Sequence, residues 1–567
     1  MTLPLLLSVA LASVSSMLAA APAFPIDRHA AAGVAPAAPT DQLQAMATLS
    51  EISDPGSASA VWPAVRHDEG DDDDEGDDDD IDLPEDDFVA GEVLVVPQPG
   101  VSIATIAAIY HVAVLEAYEP LQAYRLSTPE DLSPEQFAAI LRGDRHVLES
   151  EVNLLYVPPE VERRNLAFLD GDPSPGEYAD QEASTRLRLE NAALFASGPG
   201  VVVAVIDTGL DLNHPLLQGR IAAGGFDFLD RDPDPSEARS GLDSNGDGLI
   251  DPSYGHGTHV AGLITLASPQ AKILPLRCFS AEGDGDAFAI AKAVRYALDA
   301  GAGVINMSFG LPYRSRIVDV ALDQAAQAGV LLVASAGNQA LSDPGPFPAR
   351  KSAVLAVAAT DAQDQLADFS NFGSFIEISA PGVGLYSAYP QGGYAIWSGT
   401  SMSAPLVSGV LAELLRIEPS AAAAEAALLT GAMPIDAINP GYEGALGAGR
   451  IDALAAVELA LGWSGSTPSL KLDGTLEAPR LSVIQSGPDL AADLYFGYLD
   501  SGGQFRSLGP SGFEEGLFAS LSGVVLPSGF AVARVPLIAF PPDAGVGYVA
   551  LTPRGSLELL AVSLLQR

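Results

Sequence analysis

Hydrophobic positions change their period several times along the chain, and the changes divide it into parts. From Phe88 onward short apolar runs alternate with amphipathic ones. Glu92–Val96 reads as a strand, Ile103–Tyr110 as a helix, and Ala113–Glu116 and Leu121–Leu126 as two short strands. Ser133–Arg142 opens with Ser133-x-x-Gln136, a reciprocal cap for two free helix N–H groups, and so predicts a helix. Val147–Tyr156 supplies a last strand. The resulting β-α-β-β-α-β order is the split, ferredoxin-like α+β arrangement, which gives a first domain at 88–157.

Between 185 and 463 the period alternates differently. Val201–Ile206, Ile273–Phe279, Val304–Phe309, Val330–Ala334 and Val354–Ala358 are nearly continuous apolar runs, as strands of a parallel sheet covered on both faces must be. Asp286–Ala300, stopped by Gly301, and Ser401–Ile417, with Pro419 beyond it, read as helices. The prediction is an α/β domain with a doubly wound parallel sheet. After residue 463 short strand-like pieces such as Leu481–Ile484, Asp493–Tyr498, Phe530–Val535 and Tyr548–Leu551 are punctuated by Gly, Pro and Ser. A small all-β, sandwich-like domain at 464–567 is the economical reading.

The remaining tracts carry no such period. Met1–Ala23 has an apolar core and ends in Ala21-Pro22-Ala23, the pattern of a secretory signal, although the usual positive charge before the apolar run is missing. Residues 24–87 read as a disordered acidic leader, and the Pro-, Glu- and Asp-rich tract 158–184 as an exposed linker. No other stretch is long and charge-free enough to cross a membrane, so no integral membrane segment is expected after signal removal.

Charge and cysteine content narrow the picture further. The chain has 73 Asp and Glu against 28 Lys and Arg, a formal net charge of −45. Phosphate would be repelled, so nucleic acid is not an expected partner. Fifteen of the carboxylates fall within 68–87, yet the remainder is still strongly acidic. One cysteine, Cys278 in an apolar run, excludes an intrachain disulfide and reads as a buried thiol.

Chemistry concentrates in four strings. Val205-Ile206-Asp207-Thr208-Gly209 ends a strand, where sites in open α/β sheets collect. Gly255-His256-Gly257-Thr258-His259 places an imidazole at the opening of a helix. Gly399-Thr400-Ser401-Met402-Ser403-Ala404-Pro405 opens another helix with a hydroxyl, near N–H groups that suit a developing oxyanion. Ala334-Ser335-Ala336-Gly337-Asn338 ends a strand with an amide donor. A serine needs a neighbouring base to become a nucleophile, and that base needs an orienting acid. Asp, His and Ser in this chain order supply the three.

These four strings resemble the catalytic segments of the subtilisin-like serine proteases, and the resemblance spans about residues 186–463. It implies Asp207, His256 and Ser401 as a triad, Asn338 as an oxyanion donor, and polypeptides as substrates. It further implies that Gly283, Asp284 and Gly285 on one side, and Ser308, Phe309 and Gly310 on the other, bind peptide as an added strand. Phe347-Pro348 resembles the family's aromatic-Pro turn, where a cis bond fits. Two positions depart from the family: Leu406 follows the Pro of the serine motif where His is frequent, and Leu216 replaces an acidic residue, which puts the family's usual calcium site in doubt. By fold order and placement 88–157 resembles the family's propeptides, implying an intramolecular inhibitor that is cut away within 157–182, with Arg163-Arg164 as a candidate site. A different metal loop is visible in Asp243, Asn245, Asp247, Leu249 (through its carbonyl) and Asp251, with Gly248 at the sixth position; it predicts a structural Ca²⁺ although Tyr254 stands where a bidentate Glu would. The expected protein is a secreted, self-processing serine endopeptidase; the alternative is a secreted binding or structural protein on an inactive scaffold of the same fold.

Overall fold

A computed structural model of the chain describes residues 87–160, 168–169, 175–193, 200–243, 248–418 and 420–461, and the strand segments between 469 and 566. The signal and nearly all of the acidic leader, Arg163-Arg164, Asn245 and Asp247 lie outside the described residues.

The first unit comprises β1 (Phe88–Pro97), α1 (Ile103–Tyr110), β2 (Val114–Tyr118), β3 (Ala123–Ser127), α2 (Pro134–Arg142) and β4 (Val147–Tyr156). Both arms of the cap at α2 are made, Ser133 accepting from the Gln136 N–H and the Gln136 side chain accepting from the Ser133 N–H. The strands lie in the order β2-β3-β1-β4, with β1 antiparallel to both neighbours.

The central sheet is built from β5 (Val202–Asp207), β6 (Phe226–Asp227), β7 (Lys272–Arg277), β9 (Val304–Met307), β10 (Leu331–Ser335), β11 (Val354–Thr360) and β12 (Ile378–Pro381). A short β8 (Gly285–Asp286) lies outside it. The order β12-β11-β10-β9-β5-β7-β6 is parallel throughout. Alternate β5 side chains serve two cores. Val203 and Val205 pack with α3 (His256–Ala267) and α6 (Thr400–Leu415), whereas Ala204 and Ile206 pack with α4 (Ala287–Asp299) and α5 (Arg316–Gln327). Both faces of the sheet are covered, which is why its strands read as unbroken apolar runs.

Unit 88–157 sits on the α4–α5 face, and its core residues Val93, Leu94 and Phe137 belong to the same buried cluster as Phe288 and Ile317. Charged groups pin the junction. Glu116 pairs with Lys292 and, at 2.9 Å, with Arg231. Asn153 Oδ1 accepts from the Phe288 N–H at 3.2 Å. The Glu151 carboxylate accepts from the Arg316 N–H and the Ser315 hydroxyl, both at 2.7 Å, at the start of α5.

The tract read as an exposed linker is different from that reading at both ends. Pro158, Pro159 and Glu160 are buried. Farther on, Tyr178 is buried within the short helix Pro175–Ala179 and its hydroxyl donates to the Gly262 carbonyl at 2.8 Å. Polar composition misleads here because the burial is supplied by a surface distant in sequence. Beyond residue 468 the described strands form two antiparallel sheets around Leu472, Phe496, Phe540 and Val549. Cys278 is buried, and burial pushes its thiol well above the usual range. Among the described residues no helix is long and apolar enough to cross a membrane.

Candidate active site

Asp207 is the last residue of β5, and the turn after it is packed against the start of α3. A Cβ on Gly257 would overlap the Gly209 carbonyl and lie 3.1 Å from the Asp207 Cβ. Only glycine there lets the helix start close onto the aspartate. His256, the first residue of α3, consequently donates from Nδ1 to Asp207 Oδ1 at 2.7 Å, and both side chains are almost fully buried. The Trp397 ring lies 5.3 Å from the imidazole centroid and walls it from water.

Ser401 stands in the first turn of α6. Its hydroxyl donates to the Ser308 carbonyl at 3.3 Å, and the Ser308 hydroxyl donates back to the Ser401 carbonyl at 3.1 Å. Asn338 follows β10. Its Oδ1 accepts from the Thr400 N–H at 3.0 Å and from the Thr400 hydroxyl at 2.9 Å, so the amide is fixed with Nδ2 toward the cleft. A Cβ on Gly399 would stand 3.1 Å from that Nδ2 and fill the space before it. An anion held there meets an N–H donor, the opening of a helix and a histidine together.

One is held there. Glu160, two residues past the first Pro of the supposed linker, accepts from Asn338 Nδ2 at 2.9 Å and lies 3.3 Å from His256 Nε2. Burial opposes the carboxylate's charge, yet His256, Ser401 and Asn338 together hold its pKa below the ordinary range. Burial opposes charge on His256 as well, but Asp207 first and Glu160 second overcome it and raise the imidazole to about 10. His259, by contrast, is driven down to about 3 by burial and by the neighbouring His256, and its Nε2 lies 3.2 Å from the Leu385 and Ala395 carbonyls. The second histidine of the motif is a neutral structural group.

The approach to Glu160 is a strand. Leu155 and Tyr156 pair antiparallel with Asp286 and Gly285 of β8, and on the other edge the Gly310 N–H donates to the Val157 carbonyl at 3.1 Å. Tyr156 is buried against Phe309, their ring centroids 6.0 Å apart. Of the six residues expected to line the peptide, Gly285, Phe309 and Gly310 meet this strand directly. Ser308 braces Ser401, while Gly283 and Asp284 shape the turn into β8 through bonds with Ser280. Beside Pro159 a cavity of about 360 Å³ opens, lined by Gly310, Leu311, Pro312, Leu341 and Pro346. The Phe347–Pro348 bond behind it is cis, as expected, and so is Asp343–Pro344.

Of the metal-loop residues, Asp243 Oδ2 accepts from the Gly248 N–H at 3.0 Å, closing the loop at its glycine, whose φ is 88°. Asp251 accepts from the Ser240 N–H at 2.8 Å and from the Ser240 hydroxyl at 2.6 Å. Leu249 is described beside them. Among the described residues no group of three or more His, Cys, Asp or Glu side chains is placed to hold a metal.

A further carboxylate escaped the sequence reading. Glu237, one acid among many in the stretch 230–237, accepts from the Thr208 hydroxyl and the Gly255 N–H, both at 2.6 Å, and from the Thr258 hydroxyl. Burial pushes its pKa up to about 7, the three donors pulling the other way and Asp207 adding to the rise.

Comparison with known proteins agrees with this geometry. Residues 198–447 match the model of the Subtilase family. Thermitase from Thermoactinomyces vulgaris is 35% identical over 303 residues, covering 51% of this chain and 100% of thermitase. Alkaline elastase YaB from Bacillus sp. (strain YaB) is 31% identical over 373 residues, 60% of this chain and 92% of the elastase. Subtilisin E from Bacillus subtilis (strain 168) is 32% identical over 271 residues, 45% of this chain and 67% of the relative. With the full length of one relative matched at this identity, an Asp–His pair and an amide donor meeting one carboxylate, and a serine in the first turn of α6, the chain belongs to the subtilase family of serine endopeptidases.

Proposed function

We propose that the chain is a secreted, self-processing endopeptidase in which Ser401, His256 and Asp207 act as a triad and Asn338 as an oxyanion donor. Ser401 Oγ attacks the peptide carbonyl carbon and passes its proton to His256 Nε2, while Asp207 holds the imidazole by Nδ1 and stabilises the imidazolium. The oxyanion takes hydrogen bonds from Asn338 Nδ2 and the Ser401 N–H. His256 then gives its proton to the leaving amine, and water releases the acyl group by the same path. The observation that carries the reading is that Asp207 binds His256 at 2.7 Å while His256 and Asn338 face one shared anion.

Residues 88–157 are the propeptide in this proposal and act as an intramolecular inhibitor. The antiparallel run of 155–157 between Gly285 and Gly310, and the Glu160 carboxylate beyond it, support this. Met1–Ala23 would direct export, with 24–87 as leader. Asp243, Asn245, Asp247, Asp251 and the Leu249 carbonyl would hold one Ca²⁺, which would order the approach to His256; the closed turn at Gly248 suits such a loop.

The test uses an active-site fluorophosphonate on the full chain. Labelling is expected at Ser401, and Ser401→Ala is expected to abolish labelling, peptide hydrolysis and removal of 88–157 together. Peptide hydrolysis and self-processing that survive in Ser401→Ala would refute the mechanism; an inert, unlabelled natural chain would favour the inactive scaffold.

A further inference from the structure

Three short segments must be held at once for the Asp207–His256 pair to form: the residue after Asp207, the residue before His256, and the first turn of α3 after it. One side chain touches all three. Glu237 receives the Thr208 hydroxyl, the Gly255 N–H and the Thr258 hydroxyl. Each Thr oxygen in turn accepts a backbone N–H, Thr208 from Gly257 at 3.0 Å and Thr258 from Asp211 at 2.9 Å. The carboxylate therefore accepts three bonds and, through the two threonines, anchors two more, and together they bracket His256 on both sides and Asp207 on one.

The backbone of Glu237 is fixed as well. Its N–H donates to the Leu210 carbonyl at 3.1 Å, and the Leu210 N–H donates to Pro235 at 3.0 Å. A Cβ on Gly209 would press the Glu237 backbone at 3.1 Å, so the glycine permits the two segments to touch. The first turn of α3 has no side-chain cap from its own N-cap residue, Gly255. The Glu237 anion stands at that turn, where a helix favours negative charge.

We infer that Glu237 is a positioning residue for the hydrolytic reaction, clamping the Asp207 turn to the start of α3 so that His256 is held in register with Ser401. It touches no substrate and donates no proton; it acts through Thr208, Gly255 and Thr258. Three hydrogens already point at its two oxygens, so the site asks for an acceptor at both positions. A glutamine would aim its NH₂ at groups that are already donors and would leave at least one of them without an acceptor. This inference rests on the triad proposed above.

The experiment compares natural chain, Glu237→Gln, Thr258→Val and Thr258→Ser, with competent sites counted by fluorophosphonate titration. Natural chain that does not label at Ser401 would overturn the triad reading itself, separately from this inference. With labelling established, Glu237→Gln is expected to lower kcat per titrated site about 10- to 100-fold, the size of effect that a small misplacement produces. KM is expected to stay near the natural value, because Gly285 and Gly310 bind peptide through separate bonds. Thr258→Val should lower kcat in the same sense and Thr258→Ser should restore it. A Glu237→Gln protein with fewer titrated sites but natural kcat per site would overturn the inference, as a purely structural role predicts that result. Should Glu237→Gln yield no titratable site, Thr258→Val decides: a lowered kcat with unchanged KM supports the clamp, and a natural kcat overturns it.

Discussion

At the residue scale the uncut chain is governed by two carboxylates competing for one imidazole. In the proposed mechanism Asp207, which binds His256 at 2.7 Å, orients it, and Glu160, bound to Asn338 Nδ2 at 2.9 Å, stands where a substrate carbonyl oxygen would develop charge. An imidazolium cannot serve as a base, so on this proposal the carboxylate that fills the oxyanion site also disarms the histidine. The pH dependence follows from the directions of the two shifts. His256 is raised from its ordinary 6.5 to about 10, so its contribution to sealing the cleft is complete below 6.5 and lost as pH rises through about 10. Glu160 is lowered from its ordinary 4.5, so its contribution is present above 4.5 and lost only as pH falls through the lowered value. Self-processing of the natural chain should therefore accelerate toward alkaline pH. Glu160→Gln removes the anion and lets His256 become neutral nearer its ordinary range. The onset of self-processing, followed by N-terminal sequencing from acid to alkaline buffers, should move toward neutral pH and the rate at neutrality should rise. Identical profiles for the two chains would show that Glu160 does not restrain the site.

At the element scale, capping connects the two folded units. Helix α5 begins at Arg316, and its N-cap Ser315 is itself held by Glu151 of β4, which also takes the Arg316 and Ile317 N–H groups. Burial pushes Glu151 up to about 7, the three donors opposing it, which marks the carboxylate as fully enclosed by the junction. Hydrogen bonds to a charged group contribute about 1.5–3 kcal/mol. Glu151→Ala should release the cleaved 88–157 segment roughly 10- to 100-fold faster, read by the lag before full activity appears after cutting. An unchanged lag would assign the hold to the apolar contacts alone. These elements were largely legible in the sequence. Ile103–Tyr110 and Val147–Tyr156 were read with the bounds they have, and the four motif strings lie at the element ends where they were expected. What escaped were groups whose role depends on distant partners. Glu160 sits in a Pro- and Glu-rich tract whose composition speaks for solvent, and Glu237 is hidden among neighbouring acids. Local pattern records propensity, but it cannot record which far surface will close over a carboxylate.

At the scale of the molecule, the charge of −45 must act on stability in a way that no single contact does. Like charges spread over a folded surface repel one another and favour expansion, and ions screen that repulsion over about 10 Å at 0.1 M salt. Thermal stability should therefore climb with monovalent salt, and this rise would not depend on any particular residue. Calcium bound in the 243–251 loop would add a second increment of a different kind. It would appear at constant ionic strength, saturate, and vanish on chelation, because a ligand that binds only the folded state stabilises by mass action. The two effects separate with one variant. Asp243→Asn should keep the salt increment, which depends on total charge, and lose most of the calcium increment, which depends on the negative charge of the first-position ligand. Melting temperature is measured with salt alone, with calcium at matched ionic strength, and with chelator. If calcium and monovalent salt act alike at matched ionic strength in both proteins, the loop holds no specific ion and the acidic surface accounts for the whole response.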